Sequence, residues 1–461
     1  MIRTALAAAT LLAATPAIAQ STTQDELDAR YDRALAAGYK ALFLCSAIAN
    51  AEANGVTRTP ESVHAWELHG IQAPLDAIVQ DLHYSIVRRP TGQIAHVQVE
   101  WAEDMPDRLA VYRGRTAGCS LLPIATDEAV IKLGNPAPFE RREAEATEFA
   151  LGHLPPVQPD MPVLDAAFSD TYGTGRTTAV VVRIVENGNA KVNYEQYAPG
   201  FGRHVPQRTW SVAKSIAATV VGAAVHRGDV RVDDSAGLGA DETDPRRAIT
   251  VDLALRMASG RYSDTPGNRT DPLYWGGTTV DERAQNWPLL EQPGSVYRYA
   301  NNDTLAAVKA IEDTFETHPP ANLFSTLGMQ NTVAEADWKG NYVLSSQVWS
   351  TAWDLAALGQ LYLNDGVWNR TRVLPEGWVD YVSTPSGPQP DGPFGYGAGF
   401  WLFNKSDGIP PDTFAAMGNR GQFIVIVPSM NMVIVRRGED PAGSRFDIAA
   451  FTRDVLETLA K

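Results

Sequence analysis

Trp210-Ser211-Val212-Ala213-Lys214-Ser215 opens the apolar run Ile216, Ala217, Ala218, Val220, Val221, Ala223, Ala224. The run predicts a buried helix that continues to about His226 and stops at Gly228, where a glycine can take the left-handed conformation that ends helices. Residues three apart stack on one helix face, so the Ser211 hydroxyl and the Lys214 amine can touch. A charged lysine inside a core helix is costly, and burial and the positive helix N-terminus both favour the neutral amine. Such an amine can take the serine proton, while unsatisfied N–H groups at the helix start can hold a developing oxyanion. An S-x-x-K spacing alone recurs by chance; the apolar helix around it gives it weight.

Two later stretches fit the same chemistry. Pro293-Gly294-Ser295-Val296-Tyr297-Arg298-Tyr299-Ala300-Asn301 supplies Tyr299 and Asn301. A tyrosine near a lysine ammonium has a lowered pKa, so it can act as a base toward serine or return a proton to a leaving group. Asn301 can bond the lysine or a substrate carbonyl. Met417-Gly418-Asn419-Arg420-Gly421-Gln422 directly precedes the apolar strand Phe423 to Val427. Gly418 lets a backbone N–H come close to a ligand, which offers a second oxyanion donor. Taken singly, a Y-x-N in a turn and a glycine-rich tight turn are both commonplace.

Outward from these motifs, residues 156–461 read as one domain. Thr178 to Val185, a turn at Glu186 to Asn189, and Ala190 to Tyr197 form a hairpin. Near the C-terminus, Phe423 to Val427, the turn Pro428 to Asn431, and Met432 to Val435 form another, continuously apolar as expected of strands covered on both faces. A last helix carries Ile448, Phe451, Val455 and Leu459 at helical spacing. Helical segments at Val251 to Met257, Leu305 to Ile311 and Thr351 to Leu363 lie between. The expected architecture is a sheet built from the two ends of the domain, with a helical insertion and a cleft at their junction.

Residues 20–155 read as a small α+β domain. A helix from about Asp25 to Ala53 carries Leu27, Tyr31, Ala34, Leu35, Tyr39, Leu42 and Cys45 on one side, and strands follow at Tyr84 to Arg88, Ile94 to Val99 and Arg108 to Tyr112. The prolines between Gly152 and Pro162 mark the boundary. Residues 1–19 have the form of a secretory signal, with Arg3, an apolar segment from Ala5 to Ala14, and Ala17-Ile18-Ala19 before cleavage after Ala19. A periplasmic or secreted protein is expected, with no later run long enough to span a membrane. In that oxidising compartment Cys45 and Cys119, the only cysteines, should pair. A net charge of -15 argues against nucleic acid and anionic membranes as partners. No CxxC, HExxH or histidine cluster points to a metal, and no cofactor is expected. A Ser-His-Asp triad is disfavoured: there is no G-x-S-x-G, and only His226 and His318 follow Ser211.

With the three motifs in view, the sequence resembles the serine hydrolases related to class C β-lactamases and penicillin-binding proteins, especially the branch with carboxylesterases and the 6-aminohexanoate-dimer hydrolase. The resemblance spans about residues 165 to 455. It runs through Tyr194-Glu195-Gln196-Tyr197-Ala198-Pro199-Gly200, Ser211 to Ser215, Ile249-Thr250-Val251-Asp252 leading to Ser259-Gly260, and Tyr299-Ala300-Asn301. It continues through Asp354-Leu355-Ala356, Leu374-Pro375-Glu376-Gly377-Trp378 and Gly418 to Gln422. It implies an α/β (α+β) fold, a β-lactamase-like antiparallel sheet flanked by helices plus a helical subdomain, here preceded by the small disulfide-linked domain. It also implies Ser211 as nucleophile, Lys214 and Tyr299 sharing acid/base work, an oxyanion hole from the N–H groups of Ser211 and Asn419, and Asn301, Tyr262 and Gly418 lining the substrate site. Lactamases carry a lysine two residues before the motif glycine to hold the substrate carboxylate; here Ala416 and Met417 precede Gly418, and Arg420 lies on its other side. The departure favours a small-molecule ester or linear amide as substrate, through an acyl-enzyme. The alternatives are a D,D-peptidase or β-lactamase, and a non-catalytic wall-binding protein, which should have lost the serine, lysine or tyrosine.

Overall fold

The computed structural model describes residues 15–132, 161–263 and 271–459. In it Val212–Arg227 is a helix, and Val212 to Ala224 are buried on every side. An all-round apolar sequence has this outcome because a helix without a polar face finds its place only inside a core. Gly228 closes it in the left-handed conformation at φ 83°, and the Asp229 N–H returns to the Ala224 carbonyl at 3.0 Å, the pairing expected of a glycine-terminated helix. The interior hydroxyls are satisfied locally: Ser215 donates to the Gly399 carbonyl (2.6 Å) and Thr219 to the Ser215 carbonyl (2.8 Å).

This helix packs on a seven-stranded antiparallel sheet whose strands run, edge to edge, Gly395–Tyr396, Trp401–Leu402, Phe414–Gly418, Gln422–Val427, Met432–Gly438, Thr177–Glu186 and Asn189–Tyr197. The two predicted hairpins are therefore neighbours, joined where Val435 pairs with Val181. Alternate residues divide between two cores. Ile424, Ile426, Val433, Val435 and Val181 face the helices Val212–Arg227 and Ala352–Leu363. Val425, Val427, Ile434, Val180 and Val182 face the C-terminal helix Ile448–Leu459 and the short helix Pro162–Ala166. Both faces are covered, which is why these strands are apolar throughout. A three-stranded sheet of Gln207–Arg208, Val348–Ser350 and Val333–Ala334 leads the chain into Trp210.

The N-terminal module has a four-stranded antiparallel sheet, Tyr84–Arg88, Ile94–Val99, Arg108–Gly114 and Gly118–Leu121, in sequence order. Its helix, Thr15–Ala53, is longer than the sequence pattern predicts and passes through the expected cleavage site; residues 1–14 of the signal segment lie outside the described residues. Three expectations need correction. From Ala34 to Ala51 the helix is buried all round rather than on one side, because one face meets its own sheet and the other meets Trp210, Leu273, Trp275, Leu305 and Trp349 of the larger domain. Leu27 and Tyr31, expected inside, are exposed. The portion Thr23–Ala53 is also long and apolar enough to cross a membrane, contrary to the sequence estimate, yet its apolar window is wholly buried inside the protein. The proline-rich boundary lies outside the described residues up to residue 160.

Cys45 and Cys119 are bonded, tying this helix to the last strand of the small sheet across 74 residues. Loop closure of that length is worth about 4 kcal/mol in the chain-entropy treatment, within a usual range of about 2–4 kcal/mol. Cys45→Ala/Cys119→Ala should lose stability in that range by urea unfolding under non-reducing conditions, and peptide mapping of the native protein should recover the two cysteines linked.

Candidate functional site

Ser211 is the N-cap of the buried helix, and the chain reaches it through a constrained turn: Trp210 has φ 49°, in the left-handed region that non-glycine residues seldom occupy. The N–H groups of Val212, Ala213 and Lys214 bond back to the carbonyls of Thr209, Trp210 and Ser211 at 3.2, 3.0 and 3.0 Å. The Ser211 N–H, one position earlier, takes no part in these bonds and belongs to the residue at the positive end of the helix.

One turn on, the fully buried Lys214 Nζ lies 3.1 Å from Ser211 Oγ, 2.5 Å from Asn301 Oδ1 and 2.9 Å from the Ser345 carbonyl oxygen. Loss of hydration pushes its pKa from 10.5 down to about 7. A neutral amine has two N–H bonds and one lone pair. Asn301 and Ser345 accept the two N–H bonds, which leaves the lone pair for the Ser211 hydroxyl.

Tyr299 completes the group. Its ring centroid is 5.0 Å from Lys214 Nζ, and its hydroxyl interacts with Ser211 and Trp401. Burial raises its pKa well above the usual tyrosine value, outweighing the opposing hydrogen bonds from Ser211 and Trp401. This reverses the sequence expectation of a lowered value, and the reason is that Lys214 is itself pushed toward neutrality and supplies no strong opposing charge.

The third motif arrives at the end of the strand Phe414–Gly418. A Cβ on Gly418 would stand 2.5 Å from the Thr209 carbonyl oxygen and 3.1 Å from the Ser211 backbone nitrogen, so only glycine allows this strand to close on the serine. Asn419 follows at once, in the loop that pairs Gly418 with Gln422. Ser211, Lys214, Tyr299, Asn301 and Gly418 are thus brought together, with Asn419 next in the chain. Tyr262 is different: it is 42% exposed and packs on Trp287 (5.4 Å between centroids), and none of its described contacts is to Ser211, Lys214 or Tyr299. Arg420 turns away from the serine to pair with Glu439 at 2.7 Å.

Several residues at the site were not singled out from sequence. Ser345 offers a backbone carbonyl, which leaves no signature, and its hydroxyl is held by Tyr274 at 2.6 Å. Trp401 and Tyr396 form an aromatic wall with Tyr299, at 5.3 and 6.1 Å between centroids. Their signal was the glycine-spaced run Gly395-Tyr396-Gly397-Ala398-Gly399-Phe400-Trp401. Arg437, fully buried, donates to the carbonyls of Gln207, Arg208 and Ser350 and to Gln422 Oε1, bracing the approach to Ser211 against the third motif. The Ser259-Gly260 landmark is a brace too: Ser259 Oγ donates to Asp303 (2.6 Å), which pairs with Arg261 and holds the helix that begins at Asn301.

The sequence profile of the family described as Beta-lactamase matches residues 164–455. No curated protein matches the chain. Among solved structures, one described as a 6-aminohexanoate-dimer hydrolase from Bacillus anthracis superposes with TM-score 0.52 at 22% identity, covering 64% of this chain and 81% of the other. One described as a beta-lactamase from Bacteroides dorei DSM 17855 gives TM-score 0.52 at 18% identity, covering 66% and 99%. A penicillin binding protein from Bacillus halodurans gives 0.50 at 16%, covering 64% and 99%. At these identities the likeness is one of fold.

The lysine's lowered pKa has a consequence for stability. Between pH about 7 and 10 the unfolded chain holds a proton on Lys214 that the folded chain does not, so this group adds stability as pH rises through that window and removes it as pH falls to 7. Lys214→Met should flatten the slope. Urea unfolding of both proteins at pH 7 and pH 10 should show wild type gaining, relative to the variant, on the order of a few kcal/mol.

Proposed function

Because this chain belongs to the beta-lactamase family of serine hydrolases, we propose that it cleaves a carboxylic ester or linear amide of a small molecule through an acyl-enzyme on Ser211. The observation that carries the proposal is the pairing of Lys214: two acceptors for its N–H bonds, and Ser211 Oγ at 3.1 Å for its lone pair. In the reaction, Lys214 takes the Ser211 proton as Oγ attacks the acyl carbonyl carbon. The carbonyl oxygen becomes an oxyanion between the N–H groups of Ser211 and Asn419, at the positive end of the helix. Tyr299, kept as a neutral phenol by burial, protonates the leaving oxygen or nitrogen as the bond to it breaks. The Lys214 ammonium then restores the tyrosine proton, and water attacks the acyl-enzyme by the reverse route.

The preference for neutral esters and amides rests on the third motif. A β-lactam or a peptide terminus brings a carboxylate that needs a cation. The position that would carry one is the small, buried Ala416, and the guanidinium of Arg420 is committed to Glu439 and to backbone carbonyls. Nitrocefin turnover should accordingly be slow beside that of p-nitrophenyl esters. Export to the periplasm or beyond fits the bonded cysteines.

A fluorophosphonate probe should label the Ser211 peptide and should leave Ser211→Ala unlabelled. The two proton carriers separate by leaving group. Tyr299→Phe should lose about two to four powers of ten in kcat/KM on an amide, whose amine must be protonated, and much less on a p-nitrophenyl ester of the same acid. Lys214→Met should damage both. Wild-type rates for Tyr299→Phe on both substrates would remove Tyr299 from the chemistry.

A further inference from the structure

The residues next to the two proposed oxyanion donors share an unusual property. Trp210, preceding Ser211, and Arg420, following Asn419, are both non-glycine residues in left-handed backbone, at φ 49° and 56°. Such conformations persist only when the surroundings hold them. In both cases part of the holding side comes from the N-terminal module, which lies outside the matched residues 164–455. The Trp210 indole, 2% exposed, packs on Phe43 (6.0 Å between centroids) and on Trp275 (6.1 Å), which in turn lies 4.3 Å from Tyr39. The Arg208 guanidinium sits over Trp210 at 4.6 Å and over Phe43 at 5.3 Å, closing the cluster. The Arg420 guanidinium, besides its pair with Glu439, donates to the carbonyl oxygens of Trp66 (2.8 Å), His69 (2.9 Å) and Gly70 (3.1 Å). A fork with donors spread over four carbonyls, that of Glu439 included, and a carboxylate fixes both the position and the plane of the side chain.

We propose that the N-terminal module sets the oxyanion hole, with Arg420 and Trp210 as the positioning residues that transmit its grip to the Asn419 and Ser211 N–H groups. This rests on the assignment of those two groups as oxyanion donors. Neither side chain touches the substrate. Each holds a strained residue whose peptide neighbours the donor, so loosening either lets the donors drift from the spacing at which the transition state is bound.

The test uses the full chain carrying Arg420→Met with Glu439→Gln, so that the Glu439 carboxylate is not left facing a missing guanidinium, and separately Phe43→Leu on the module's side of Trp210. Steady-state kinetics on a p-nitrophenyl ester should show kcat falling about a hundredfold in the first variant and about tenfold in the second, the scale of a weakened oxyanion donor. KM should stay within about threefold, because ground-state binding is not involved. Affinity for phenylboronic acid, whose tetrahedral adduct on Ser211 places an oxygen in the hole, should fall in step with kcat. The pH dependence of kcat/KM should keep its wild-type shape, since the Lys214 contacts are intact, and Arg420→Lys should recover part of the rate. Folded variants with wild-type kcat and boronate affinity, whatever their melting temperature, overturn the proposal. If the double variant does not fold, Phe43→Leu decides alone. Turnover surviving in Ser211→Ala overturns the serine assignment and this proposal with it. An inactive Ser211→Ala beside wild-type positioning variants overturns only the role of the module.

Discussion

Keeping a lysine dry is the constraint from which the surrounding structure follows. A lysine ammonium without an ionic partner costs several kcal/mol to bury, so Lys214 rests nearer the amine, and an amine in an apolar interior needs two well-placed acceptors. They come from distant parts of the chain: Asn301 from the start of a helix in the insertion, Ser345 from the loop before the strand Val348–Ser350. Each needs bracing. The buried Ser259, Arg261 and Asp303 hold the helix of Asn301, while Tyr274 holds Ser345. What resembles a string of separate sequence motifs is, physically, the support of one nitrogen atom.

The N-terminal module is part of that support. Its helix shares a core with Trp210, Trp275 and Trp349, and its loop carbonyls receive Arg420. Glu335 of the larger domain reaches the other way, accepting from the Cys119 N–H at 2.9 Å and from the Trp349 indole at 3.0 Å. Burial lifts its pKa to about 7. The disulfide therefore staples a helix that is simultaneously a wall of the larger domain.

Much of this was legible in the sequence, for identifiable reasons. The helix Val212–Arg227 and the strands Tyr84–Arg88 and Ile94–Val99 fall where periodicity and turn residues put them, because local chemistry and tertiary burial agree there. The Ser211–Lys214 contact follows from helical spacing alone. Two kinds of feature were hidden. Contacts made by backbone, such as the Ser345 carbonyl, carry no residue code. Long-range packing was invisible as well: nothing local in Ala34 to Ala51 distinguishes a helix with one buried face from one buried between two domains, and nothing local in Arg420 points to its partners at Trp66, His69 and Gly70.

The reversal at Tyr299 follows from the same dryness. An ammonium beside a phenol lowers the phenol's pKa only while the ammonium persists. Desolvation acts on both groups, and because one is a cationic acid and the other a neutral acid, it pushes their pKa values apart: Lys214 down, Tyr299 up. Burial moves both groups toward their uncharged forms. Widely separated pKa values of neighbouring groups are what assign acid and base, and in the proposed reaction that order fits a proton flow from serine to amine and from phenol to leaving group. The ammonium and phenolate formed in the proposed reaction both neighbour the Ser211 hydroxyl and neutralise each other by one proton transfer. In the proposed reaction the only charge the site must stabilise for itself is the oxyanion, and the positive end of the helix that begins at Ser211 already faces it.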